Sequence, residues 1–350
     1  MRNLCHLLCC CLQQVDKVEL NPQFIVDFFL MALRYVDLVP ILLRLAVAFI
    51  LAGLLARHGL KKKSLDETGA TAAFFVGLIS FAVSYRMGMI LILFYLSSSR
   101  LTKLKEDVKR KLEEDYKTSG QRNYLQVLTN SALATLTAIL YYYYCGEDSY
   151  AGFSGTIETG SISMDCMLSC MYISHYACAN GDTWASEVGI LAKASPRLVT
   201  SLFTREVPPG TNGGMSILGT SASVLGGGFI GLSYYLMGLL LNYQYVPKVG
   251  FVYSVVKGRD QWPIIVVGLV FGGLGSLIDS ILGATLQATY YHKEKKCIVK
   301  HVGTNKSSSI ELICGMDVLS NEAVNFISIA ISMSISIVLS PYIFSLCLNL

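Results

Sequence analysis

Long apolar stretches recur along this chain, separated by short polar runs. Their lengths predict membrane-spanning helices over Val39–Arg57, Gly69–Ser84, Met87–Ser98, Tyr124–Tyr144, Ser163–Asn180, Met215–Tyr243, Trp262–Leu286 and Ala323–Leu348. The second and third stretches are short and separated only by Tyr85-Arg86. They form either one tight hairpin or one long kinked element, so the expected count is seven or eight. The predicted fold is all-α, a polytopic membrane helix bundle forming one domain over 39–350. Residues 1–38 form a separate N-terminal segment without the basic start, apolar core and cleavage site of a signal peptide.

Composition agrees with this pattern. With 53% hydrophobic and 15% charged residues and a mean hydropathy of +0.51, the chain is too apolar for a soluble domain. Loop charge then orients the helices. Basic residues gather after the first span (Arg57, Lys61, Lys62, Lys63), in the long loop 99–123, at Lys193, Arg197 and Arg205, and from Lys293 to Lys306. Between Cys145 and Ile162 there are only acids, Glu147, Asp148 and Glu158. The positive-inside rule makes the basic side cytosolic, although the opposite loop Gln244–Gln261 carries Lys248, Lys257 and Arg259. The middle of loop 99–123 reads as a charged surface helix with Glu106/Arg110 and Asp107/Lys111 pairs.

The eleven cysteines include no C-x-x-C pair, so no zinc site is expected. Cys166, Cys170 and Cys178 lie in one span and read as packing residues. Cys5, Cys9, Cys10 and Cys11 cluster where palmitoylation is an option by position alone. Gly227-x-x-x-Gly231 and Gly268-x-x-x-Gly272 have the spacing for close helix approach, which predicts that their two helices are neighbours.

The unusual polar runs all fall on the basic side. They are Ser64–Gly69, Ser97–Lys103, Gly120–Asn123, Asn180–Thr183, Pro208–Gly214, Asp279–Gln287 and Asn321–Asn325. Asp182 and Asp279 in these runs are carboxylates at the inner ends of apolar helices, where an ionisable group is costly unless it binds something. Mg²⁺ takes one or two carboxylates plus phosphate oxygens, so both aspartates are candidate metal ligands and catalytic residues. Gly210 to Gly214, including Gly213, can offer backbone N–H groups to an anion before a helix start. Lys103 and Arg122 supply cations for phosphate. Ser98, Asn123, Asn180, Thr183, Asn212, Ser280, Gln287 and Asn325 can orient a substrate, and Gly181 would let a phosphate or metal approach the backbone.

Each feature also has a plainer reading. Asp182 alone fits a loop or helix-end acid, and Pro208–Gly214 is first of all turn chemistry. Lys103 and Arg122 fit topology determinants, Glu187 and Glu322 surface acids, and His175 a hydrogen-bonded packing residue. Tyr141–Tyr144 resemble an interfacial aromatic belt.

Taken in order, Asn180–Glu187, Pro208–Gly214, Leu277–Gln287 and Glu113–Asn123 resemble the transmembrane protein 19 family over about Ser64 to Asn325. That family is related to plant and cyanobacterial phytyl-phosphate kinases, and its Gly-Asp-Thr-x-Ala motif is similar to one in dolichol kinases and phosphatidate cytidylyltransferases. The resemblance implies a helical membrane fold and nucleotide-dependent phosphoryl transfer to a polyprenyl monophosphate. It makes Asp182 and Asp279 metal or nucleotide ligands and Lys103, Arg122 and Asn212 phosphate contacts. Pro209 stands where some relatives have a basic residue, which removes one such contact. The expected cofactors are Mg²⁺ with CTP or ATP as donor. The expected partners are the bilayer and an isoprenyl phosphate, without nucleic acid, and the default location is an endomembrane such as the ER. Two rival classes remain: a transporter or lipid carrier, and a non-catalytic membrane protein. A transporter should carry polar groups near the membrane midplane, and Ser276 and Asp279 are the nearest candidates.

Overall fold

The computed structural model describes residues 22–104, 121–146, 163–245, 261–299 and 309–348. The N-terminal cysteines, the Glu106/Arg110 and Asp107/Lys111 pairs, the acids Glu147, Asp148 and Glu158, and Lys248, Lys257 and Arg259 lie outside the described residues. The chain divides into two units, Met1–Val47 and Ala48–Leu350. Within the first, the described residues are helical from Pro22, the beginning of α1 (Pro22–Lys61, 40 residues). The expected span Val39–Arg57 lies inside this helix, and the part of it apolar enough to cross a membrane is Ile41–Lys61.

The second unit holds the bundle. α2 (Glu67–Val83) starts at Asp66, whose Oδ1 accepts from Gly69 N–H at 2.8 Å, with Glu67 in the first turn to complement the helix dipole. α3 (Tyr85–Thr102) begins one residue after α2 ends. Ser84 between them is extended (φ −156°, ψ 122°), and its hydroxyl accepts from Met87 N–H at 3.1 Å. Of the two forms expected here, the hairpin is the one adopted. Ser64 Oγ and Tyr95 Oη are 2.6 Å apart, which sets the start of α2 beside the last turns of α3.

The single span expected over Tyr124–Tyr144 is broken into α4 (Tyr124–Thr129) and α5 (Ala132–Cys145). Asn130 at the break donates from its amide to Gln126 O (2.8 Å), and its own carbonyl is held by His175 Nε2 (3.0 Å). Side-chain bonding of this kind competes with the helical ladder.

α6 (Met164–Gly189) is the central helix, packed against α3, α5, α7 (Ile217–Tyr245), α8 (Pro263–Leu286) and α9 (Asn321–Leu348). It was expected to end at Asn180 but runs on through Gly189. Trp184 stacks on Phe229 of α7 (5.7 Å between centroids), and Gly189 abuts Gly219, so the extra turns keep an apolar partner. α6 carries many polar side chains, and apolar neighbours cover it. By length and composition Ile41–Lys61, Ile217–Leu240, Pro263–Leu286 and Asn321–Leu348 can cross a membrane; Glu67–Val83 and Ala132–Cys145 are shorter apolar helices. Exposed Leu225, Leu240, Val338 and Leu346 offer outward surface to lipid tails.

The glycine spacing does what it predicts. A Cβ on Gly231 would lie 2.7 Å from Ile264 O, and one on Gly268 would lie 2.5 Å from Gly227 O. α7 and α8 therefore cross backbone on backbone, and Gly181 of α6 joins them, its own Cβ position 2.8 Å from Gly272 O. Without a hydrophobic drive in lipid, such close packing is what joins helices.

Short strands, absent from the all-α expectation, cap one end. β1 (Arg197–Leu198) pairs with β2 (Gly214–Met215), and β3 (Thr289–His292) lies between β4 (Cys297–Val299) and β5 (Ile310–Cys314), all antiparallel. Met316 N–H to Thr285 O and Leu319 N–H to Leu286 O, both 3.0 Å, fasten this cap to the end of α8.

Candidate functional site

The seven polar runs meet at one end of the bundle. Arg122 N–H bonds Ser64 O and Asp66 N–H bonds Arg122 O, both 3.1 Å, so the starts of α2 and α4 are stitched together. Lys103 Nζ donates to Lys62 O at 2.5 Å, bringing the end of α3 to the end of α1. The end of α6 meets the start of α7 at Gly189 and Gly219, and Gly213 (φ +72°) sits against Ser280 O and Ala284 of α8. A side chain at Gly213 would meet both strain and backbone.

Within this end, Asp182 of α6 and Asp279 of α8 lie within electrostatic range of each other, both half-buried. Each has hydroxyl support. Ser276, one turn before Asp279, lies near Asp182. Ser328 Oγ of α9 donates to Asp279 Oδ2 at 3.0 Å. The Asn325 amide, oriented to satisfy its neighbours, donates to the same oxygen at 3.1 Å and to Asn321 O at 3.2 Å. Cys178 of α6 is close to Ser328, Ser332 and both carboxylates. Sequence reasoning did not single out Ser328 or Cys178 for this site. The signal was present as Asn325-x-x-Ser328 and Cys178-x-x-x-Asp182, spacings that put each pair on one helix face.

Other candidates are engaged in holding the fold. Asn180 is fully buried; its Oδ1 accepts from Ser97 (3.0 Å) and Ser98 (3.1 Å), and its Nδ2 donates to Gly226 O (2.8 Å). One amide thus ties α3, α6 and α7. Thr183 bonds back to Ala179 O at 2.8 Å, and Gly181 lies in the three-helix crossing. Asn123 caps α4, accepting from Gln126 N–H at 3.0 Å in a reciprocal capping box.

Asn212 N–H bonds Thr289 Oγ1 (3.2 Å) and its carbonyl accepts from Cys314 Sγ (3.4 Å), so the Pro208–Gly214 turn is anchored to β3 and β5. Gly210 is left-handed (φ +88°), as the turn requires. Gln287 ends α8 and is buried beside Gly315. Ser280 lies next to Asp279 and under Gly213.

The cations line the same end. Lys103 is exposed. Arg122 is half-buried, with Glu187 and Tyr95 nearby. Burial holds its guanidinium below the ordinary value, and the Glu187 carboxylate and Tyr95 act in the opposite sense. Among the described residues no group of three or more His, Cys, Asp or Glu gathers as a metal cluster. Around the carboxylate pair stand the hydroxyls of Ser276 and Ser328, the Asn325 amide and the Cys178 thiol.

Fold and site together define a polytopic integral membrane protein with paired carboxylates set between helices at its polar end. The chain belongs to the integral membrane protein family DUF92, whose sequence pattern matches residues 50–333. It is 37% identical over 308 residues to Protein PGR of Arabidopsis thaliana, covering 86% of this chain and 98% of that one. It is 28% identical over 253 residues to the membrane protein MJ0933 of Methanocaldococcus jannaschii, covering 72% of this chain and 87% of that one. With the chloroplastic protein VTE6 of Arabidopsis thaliana it shares 25% identity over 280 residues, 80% of this chain and 66% of VTE6. No solved structure matches the chain. Of these three names only VTE6 carries a compartment, and the ER default has no counterpart among them.

Proposed function

We propose that this protein is a Mg²⁺-dependent isoprenyl-monophosphate kinase that moves the terminal phosphoryl group of CTP or ATP at the cytosolic face. The observation that carries this reading is the Asp182/Asp279 pair, two like charges brought together on α6 and α8 at the end where Lys103 and Arg122 also lie. Two carboxylates at short range keep their charge only with a cation between or beside them. All their supporting groups are oxygens or an amide, apart from Cys178, which suits a hard divalent cation better than zinc. Asp182 and Asp279 would hold Mg²⁺, which when bound would neutralise and orient the donor phosphates. The motif resemblance to phytyl-phosphate kinases supplies the acceptor class.

The chain's own groups then have defined tasks. Ser276 steadies Asp182, while Ser328 and Asn325 hold Asp279 Oδ2. Lys103 uses one of its three N–H donors on Lys62 O, leaving two for a phosphate. Arg122 offers a fork that fits phosphate oxygens. An oxygen of the acceptor monophosphate forms a bond to the donor's terminal phosphorus as the bond to the nucleoside diphosphate breaks in line. The acceptor is already an anion, so no protein nucleophile is needed.

The test is to incubate purified protein with Mg²⁺, CTP or ATP, and geranylgeranyl or phytyl monophosphate. The isoprenyl diphosphate is expected by mass spectrometry, in Mg²⁺-dependent amounts. No product from any nucleotide and acceptor pair would overturn the reading. One observation favours a transporter instead. Ser328, Ser332, Ser336 and Ser340 form a buried row along α9, and His175 is fully buried on α6. That is more interior polarity than Ser276 and Asp279 alone, and a substrate path would use it.

A further inference from the structure

Two consecutive residues in the loop between α6 and α7, Leu202 (φ +50°) and Phe203 (φ +62°), hold the left-handed backbone region without being glycine. A Cβ makes that region costly, whereas glycine takes it freely. The fold gives the two side chains little in return: Leu202 is 85% exposed and Phe203 43%. Strain held at one place points to a task there.

The turn that bears them spends its polar groups on itself. Leu202 N–H bonds Val199 O (3.1 Å), Phe203 N–H bonds Leu198 O (3.2 Å) and Thr204 N–H bonds Ser201 O (3.1 Å). The Ser201 hydroxyl donates to Leu198 O (2.8 Å) and accepts from Arg205 N–H (3.0 Å). Thr204 Oγ1 donates to Ser201 O at 2.6 Å. The N–H groups of residues 202–205 therefore all have partners, which is the condition for backbone to enter an apolar medium.

Its place in the fold gives that medium. Leu198, Val199, Val207 and Ala284 of α8 form one buried cluster, with Leu277 of α8 packed against it. Leu277 lies nine residues before the end of α8, about 13.5 Å along the helix. β1 joins the loop to β2, whose Met215 is two residues before Ile217, the exposed first residue of α7. The turn is thus held at the level where two helices able to cross the membrane reach their polar ends.

Charge selects the surface. Over 193–206 the loop has three basic residues, Lys193, Arg197 and Arg205, against one acid, Glu206. Arg197 is taken by Glu206 Oε1 (3.4 Å) and by Phe203 O (3.2 Å). Lys193 and Arg205 are exposed, Arg205 with one guanidinium nitrogen on Ile313 O at 3.3 Å. An apolar pair flanked by cations suits the boundary between headgroups and acyl chains of an anionic leaflet.

We infer that Leu202 and Phe203 insert into the headgroup–acyl boundary of the cytosolic leaflet, with Lys193 and Arg205 on anionic phospholipid headgroups. The loop runs on into the Pro208–Gly214 turn, so lipid fastens the cap from outside as α8 does from within. The inference does not depend on the kinase reading.

To test it, Leu202 would be replaced by the fluorescent amino acid dansylalanine and the full chain placed in nanodiscs. Quenching by brominated phosphatidylcholine and shielding from iodide are expected. Bromines high on the acyl chain should quench more than bromines near its end. Mixing phosphatidylserine into the phosphatidylcholine should raise bromolipid quenching at least twofold, and Lys193→Gln/Arg205→Gln should erase that rise. Iodide quenching without bromolipid quenching would overturn the inference, as would equal bromolipid quenching with and without phosphatidylserine. Shielding from both quenchers would do the same by assigning the pair to a protein contact. Wild-type protein gives a check that needs no substitution. Hydroxyl-radical footprinting in the same anionic nanodiscs should leave Leu202 and Phe203 unmodified, and modification of both would contradict their insertion.

Discussion

Asp182→Asn and Asp279→Asn are each expected to lower isoprenyl diphosphate formation by about 10²–10³-fold, a loss typical of removing one charge-stabilising group from a reaction centre. The two aspartates act as one site, so the double variant should fall little further than either single one. Stability should move the other way. Without a cation the pair does not keep both charges, so each substitution puts a neutral amide where a carboxyl sits uncompensated and cannot break an ion pair. Thermal unfolding in Mg²⁺-free detergent should therefore be unchanged or shifted upward. Measured together, initial rates and unfolding midpoints separate this account from a structural one. A large loss of both activity and stability would assign the pair a structural role.

The second large effect belongs to the glycine crossing. Gly227→Leu or Gly272→Leu is expected to abolish folded protein, read as the loss of the monodisperse peak in fluorescence-detected size exclusion. A Cβ at either position meets neighbouring backbone, not a flexible side chain: Gly272 Cα lies 2.6 Å from the Gly227 site, and Gly227 Cα 2.8 Å from the Gly272 site. Nothing there can give way without separating α7 from α8. Even Gly227→Ala should cost about 1–3 kcal/mol through overpacking. Gly53 is the control. Its Cβ position is open, 4.0 Å from Phe74, so Gly53→Ala should be neutral or stabilising by about 0.5–1 kcal/mol. A well-behaved Gly227→Leu protein would show that α7 and α8 do not pack this way.

Much of the bundle was legible in the chain because lipid imposes a simple rule: apolar length makes a helix. α8 and α9 match their expected bounds within two residues for that reason. The rule fails where hydropathy and helicity part company. α1 begins in a less apolar segment, α6 continues past Asp182 because Trp184 has Phe229 to stack on, and the break at Asn130 depends on His175 across the bundle. The cap strands were missed because they are short and held by contacts such as Asn212 to Thr289, which no local pattern announces.

The candidate site was legible at its carboxylates, since a charge in an apolar helix stands out. Its support was less so. Serine is common in these helices, and only the fold distinguishes Ser328, which reaches Asp279, from Ser98, which is tied to Asn180. Asn180 and Asp182 are two residues apart and face different neighbours. The first faces α3 and α7, the second α8, and helical geometry sends them apart.

The central claim is that Asp182 and Asp279 hold a divalent cation, and Mn²⁺ in place of Mg²⁺ tests it most directly. Electron paramagnetic resonance of the purified protein with a non-hydrolysable nucleotide should show bound Mn²⁺. That signal should vanish in the Asp182→Asn/Asp279→Asn double variant, which should still fold. The same bound Mn²⁺ in the folded double variant would place the metal elsewhere and contradict the account.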